Sequence, residues 1–100
     1  MRGCVLVLLA LAGPAAAEPH RYDLPEETAA FAPGPNLEVV QQYCSGCHSA
    51  DYVSTQPRRL RDPAAFWQAE VAKMRAAYGA PIDAEAVPRI VEYLVGTYGQ

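Results

Sequence analysis

The sequence predicts a small all-α fold, three main helices preceded by an extended arm. Apolar residues recur at three- and four-residue steps in separate stretches that begin at Leu37, Trp67 and Val87. Prolines and glycines bound those stretches, at Pro35, Pro63, Gly79, Pro81 and Gly96. The chain has 100 residues, which allows one domain at most.

Residues 1–17 stand apart from that domain. Arg2 gives a positive start, Val5 to Ala12 is a short apolar run, and Ala15-Ala16-Ala17 offers a cleavage site before Glu18. This is the pattern of a secretory signal peptide, too short for a membrane span. It predicts export and a periplasmic location for the remainder. Cys4 precedes the apolar run, whereas a lipoprotein cysteine follows it, so no lipid anchor is expected.

Residues 18–35 hold Pro19, Pro25, Pro33 and Pro35, which rule out a long helix. Glu26 to Phe31 has room for one short turn. Otherwise the segment is an extended arm carrying the isolated apolar residues Tyr22, Leu24 and Phe31. Two readings stand open: an arm lying on its own domain, and an arm reaching across a partner subunit.

Residues 36–100 are the packed domain. Asn36 is placed to cap the first helix, just after Pro35. Leu37, Val40, Tyr43, Cys44 and Cys47 then share a face. Residues 49–62 show no helical period, and Gln56-Pro57 favours an extended segment or a turn. Asp62-Pro63 is a helix start, with Asp as cap and Pro in the first position. Trp67, Val71, Met74 and Tyr78 fall on one face of that helix. Gly79 and Pro81 end it. Asp83 is expected to open the last helix, with Val87, Ile90, Val91, Leu94 and Tyr98 on its buried side. Pro88 fits poorly if Asp83 is the cap. Tyr52, Phe66 and Tyr93 are expected to pack in the core or around the site.

The chemistry is carried by Cys44-Ser45-Gly46-Cys47-His48. This is the pattern for covalent attachment of a c-type haem. Two residues between the cysteines put both sulfurs on one side of a turn. They then reach two vinyl groups of one ring, across which the thiols add as thioethers. His48 follows at once, so the same turn carries its imidazole to the iron. The second axial ligand is expected from Met74, the only methionine beyond Met1. It lies far enough past His48 to cross to the other face of the ring, and a soft thioether suits haem iron. His20 is the only other histidine. It sits on the arm, where nothing would hold it rigidly enough to compete.

Other readings of the cysteines compete. A thioredoxin-like couple needs a βαβ setting, and no strand pattern flanks the pair. A zinc site needs a second pair, which the chain past the signal lacks. A chance match is the third.

Composition narrows the partners. The net charge is −3, and Lys73 is the only lysine. A lysine ring for acidic partners is therefore excluded, and nucleic acid and anionic membranes are poor partners. Arg58, Arg59 and Arg61 form a local basic cluster. It reads equally as a solvated loop, as a partner-docking site, or as a contact for a haem propionate. A chain this short buries only about 60% of its unfolded surface, so its core is marginal. A haem inserted as core would supply an apolar plate and two covalent staples.

The motif, the later methionine and the C-terminal amphipathic helix together resemble class I cytochrome c. The resemblance becomes more specific in Tyr22-Asp23-Leu24-Pro25 with Glu27-Thr28, in Asp51-Tyr52 and in Thr55-Gln56-Pro57. It continues in Phe66-Trp67, Glu70-Val71, Lys73-Met74, Ala80-Pro81 and Tyr93-Leu94. These are similar to the small cytochrome c subunit of bacterial sulfite dehydrogenases, over nearly all of residues 18–100. The resemblance implies one covalent haem c, with Cys44 and Cys47 as thioether sites and His48 and Met74 as axial ligands. It implies a heterodimer with a molybdenum-cofactor subunit that oxidises sulfite. Electrons would leave for a downstream cytochrome c or oxidase. It also favours an arm that wraps the catalytic subunit, but it assigns nothing to Arg58, Arg59 and Arg61. Two alternatives are a free electron shuttle for another dehydrogenase, and a five-coordinate haem enzyme or gas sensor in which Met74 is only core.

Overall fold

The computed structural model describes residue 17 and residues 19–100. The signal peptide expected over 1–17 lies, apart from Ala17, outside the described residues. The described residues contain four helices and no strands: α1 Leu37–Cys44, α2 Ala50–Ser54, α3 Pro63–Ala77 and α4 Val87–Tyr98. The all-α expectation holds, with one helix more than the three main ones.

The extra helix is α2, in a stretch expected to be a loop. It has five residues, too few to display a period. Side chains at its ends make it instead. Ser49 accepts a hydrogen bond from the Asp51 N–H, at 3.2 Å. Thr55 Oγ1 donates to the Asp51 carbonyl at 2.7 Å, and Gln56 Nε2 to the Tyr52 carbonyl at 2.9 Å.

The start of α3 is as expected. Asp62 Oδ1 accepts from the Ala65 N–H at 2.9 Å, and Pro63 is the first helical residue. Gly79 ends the run in the left-handed region, φ 67°, where a side chain would be strained.

Two expected caps are corrected. Asn36 does precede α1, but its backbone is left-handed, φ 65°, and its side chain makes no cap. Its amide donates to Glu92 Oε2 at 3.0 Å and accepts from Arg89 Nε at 3.1 Å, tying α1 to α4. Asp83 does not open α4, which starts at Val87 behind Ala86. Pro88 thereby falls in the first turn, where its missing N–H leaves no helical bond unmade.

Helix α4 packs against both α3 and α1. It supplies Ile90, Val91, Tyr93, Leu94 and Tyr98 to the core, and meets Trp67 and Val71 of α3 and Val39 and Val40 of α1. Burying a side chain such as Ile90 contributes about 1.5–3 kcal/mol. Tyr78, expected on the buried face of α3, is exposed. It lies past the last residue of the helix, Ala77, where the chain turns away.

The arm has no helix, and Glu26 to Phe31 makes no turn of one. Tyr22 and Leu24 are exposed, but Phe31 is buried and meets Tyr93 edge-on, centroids 6.4 Å apart. Two phenols of α4 grip the next residue. Tyr93 Oη donates to the Ala32 carbonyl at 2.6 Å, and the Ala32 N–H donates to Tyr98 Oη at 3.0 Å. Gly34 passes so close to α4 that a Cβ would stand 3.2 Å from Thr97 Oγ1.

Candidate functional site

Cys44 is the last residue of α1, and the motif continues as a tight turn beyond it. The Cys44 carbonyl accepts from the N–H groups of both Cys47 and His48, at 3.3 and 3.2 Å. Ser49 then caps α2, so His48 sits in the joint between two helices. Cys44 and His48 are half-buried and Cys47 is exposed. The His48 imidazole stacks on the Tyr52 ring, centroids 4.4 Å apart and planes 5° from parallel.

Two adjacent cavities open beside this turn. The outer one is about 420 Å³ and is lined by Tyr43, Cys44, Cys47, His48, Tyr52, Lys73, Met74 and the segment Tyr78–Ile82. That volume lies in the usual range of ligand clefts. The inner one is about 60 Å³ and reaches between Val53, Gln56, Trp67, Val71, Ile90 and Leu94. Cys44, His48, Tyr52, Met74 and Ile82 line both. All four residues singled out in the sequence therefore meet at one place, although Met74 comes from α3 and the others from the end of α1. A scan of protein-family models and a search of curated proteins find no match to this chain.

The lining suits a haem. His48 offers an imidazole nitrogen and Met74 a thioether, the donor pair of a six-coordinate haem iron. The inner wall is apolar apart from Gln56 and Glu70, as the face of a porphyrin needs. Trp67 Nε1 is buried there with no hydrogen-bond partner. A buried donor left unpaired costs about 1–3 kcal/mol, and haem brings two carboxylates as acceptors. The Cys44 thiol is pushed up by burial. A thioredoxin-like couple needs a βαβ setting, and the described residues around the pair are helical with no strand.

The remaining candidates lie elsewhere. His20 is exposed on the arm and lines neither cavity. Arg58 lays its guanidinium over the Tyr98 ring, 6.0 Å from the centroid, and donates to the Ser54 carbonyl at 3.4 Å. Arg59 has a left-handed backbone, φ 58°, and with Arg61 is exposed. None of the three lines either cavity. Among the described residues, no three His, Cys, Asp or Glu side chains converge as a metal cage, and no helix is long and apolar enough to cross a membrane.

Sequence reasoning missed the wall formed by Gln56 and by Gly79 to Ile82. Gln56 lies in a stretch without period, and nothing local marks it. Trp67 was legible, since it shares a helical face with Met74.

Proposed function

We propose that this chain is a periplasmic monohaem c-type cytochrome, an electron-transfer subunit that is not catalytic alone. It accepts electrons one at a time from a molybdenum-cofactor subunit that oxidises sulfite, as one half of a heterodimer. It passes them to a downstream cytochrome c or oxidase. The observation that carries the haem reading is the meeting of His48 and Met74 at a single cavity edged by Cys44 and Cys47. The helical architecture supports a class I cytochrome c fold, with the motif closing α1, the methionine on α3 and α4 packed against both.

When bound, the haem supplies one-electron chemistry at an iron that alternates between ferrous and ferric. Cys44 and Cys47 would hold it through thioether bonds. His48 and Met74 would hold its iron, and with both donors engaged no place would remain for a substrate, so the chain would act as a carrier. Met/His ligation raises the reduction potential. The apolar inner wall acts in the same direction, because it disfavours the extra positive charge of the ferric form. Tyr52 keeps the His48 ring in one orientation. Sulfite as the ultimate donor rests on the sequence resemblance alone.

The test is isolation of the native complex, with mass, metal content and sulfite-dependent reduction measured together. The expected result is one covalent haem, a molybdenum partner, and reduction of the haem on adding sulfite. A bare chain with two titratable thiols would overturn the haem. A haem-bearing chain without a molybdenum partner would point to a free shuttle.

A further inference from the structure

The segment that follows α3 forms the wall of the outer cavity beside Met74, yet it has little to hold it there. Of residues 79–83 only Ile82 is buried, and Gly79, Ala80 and Pro81 offer small or exposed surfaces. Hydrophobic packing therefore anchors the segment mainly at Ile82, with Ala80 only partly buried against the same core. Its backbone folds back on the helix end, the Ala80 N–H donating to the Met74 carbonyl at 3.0 Å and the Ile82 N–H to the Ala80 carbonyl at 2.8 Å.

Two side chains grip it from outside. Arg75 Nε donates to the Ile82 carbonyl at 3.0 Å, a bond that is partly buried. Tyr43 Oη donates to Asp83 Oδ2 at 2.7 Å. Arg75 follows Met74 directly, and Tyr43 precedes Cys44 directly. The strap is thus fastened to the residue after the methionine and to the residue before the first cysteine. The hydrogen bond to the Asp83 carboxylate pushes the Tyr43 phenol up.

We infer that Arg75 and Tyr43 are positioning residues that latch the strap 79–83 over the Met74 side of the cavity, and so set how readily Met74 gives up its place to a small neutral ligand. The first half of this stands on the hydrogen bonds. The second half rests on the haem reading above.

The experiment uses the full haem-loaded chain and the variants Arg75→Met, Arg75→Lys, Tyr43→Phe and the double variant Arg75→Met with Tyr43→Phe. Amide exchange over 79–83 is measured by mass spectrometry, and carbon monoxide binding to the ferrous form by stopped flow. Loss of either latch should speed exchange at Ala80 and Ile82 on the order of tenfold. The double variant should exceed both, and Arg75→Lys should restore most of the protection. Carbon monoxide binding should accelerate in the same order, and the ferric methionine–iron band should weaken in that order too. Unchanged exchange would overturn the latches. Faster exchange with unchanged binding and an unchanged band would overturn their hold on Met74. A chain of bare mass would overturn the haem reading, while exchange alone still decides the latches.

Discussion

The His48 imidazole and the Tyr52 phenol lie face to face, 4.4 Å between centroids and 5° from parallel. The arrangement follows from α2: Ser49 starts that helix directly after His48, and Tyr52 arrives one turn later. An aromatic pair contributes about 0.5–1.5 kcal/mol beyond its buried area. Tyr52→Phe should therefore leave stability in urea nearly unchanged, and Tyr52→Ala should lower it by about 1 kcal/mol. Equal losses in both variants would mean that the hydroxyl, and not the stack, holds the joint.

Met74→Ala removes the thioether from the cavity while leaving Cys44, Cys47 and His48 in place. The loaded variant should lose the long-wavelength ferric band of methionine ligation, bind carbon monoxide readily when ferrous, and fall in reduction potential. Visible spectroscopy and a redox titration check this. A spectrum identical to the parent's would reduce Met74 to packing.

Trp67→Phe keeps an aromatic ring on the inner wall and deletes the unpaired Nε1–H. If the guest's carboxylate takes that hydrogen bond, the loaded variant should lose about 1 kcal/mol of stability. The carboxylate should also titrate at higher pH, because a donor to its charged form has gone. The pH dependence of the midpoint potential reads this shift. An unmoved profile with equal or greater stability would leave the indole without a partner.

Tyr93 predicts an alkaline limit. Burial, joined by the Tyr98 hydroxyl, pushes its phenol above the usual range. The folded state thus favours the protonated form more than the unfolded chain does. This contribution is whole below the unfolded value of about 10 and is lost as pH rises through it towards the folded value. Urea midpoints between pH 8 and 11 should fall at the upper end. Tyr93→Phe should flatten that fall and, by deleting the bond to Ala32, lower stability at neutral pH by about 1 kcal/mol.

What could be read in the sequence was what local chemistry dictates. Asp62 caps α3 because its acceptor lies three residues away, and a reader of the sequence sees both. Asn36 escaped because its partners, Arg89 and Glu92, come from the other end of the chain. Asp83 was misplaced for the same kind of reason: its carboxylate meets Tyr43, forty residues back, and the helix starts only at Val87. Cys44, Cys47, His48 and Met74 stood out because spacing and residue type are themselves the signal. The wall that encloses them did not, since Gln56 and Ala80 carry no chemistry that announces a cavity. Nothing local marks Arg75, and only the fold reveals the carbonyl it reaches.

The grip of Tyr93 and Tyr98 on Ala32 bears on whatever handles the arm. Those phenols stand on the same helix as Ile90 and Leu94, which form the innermost wall. A pull on the leading segment would be transmitted as load through a stiff rod into the deepest part of the molecule, with no slack hinge between to absorb it.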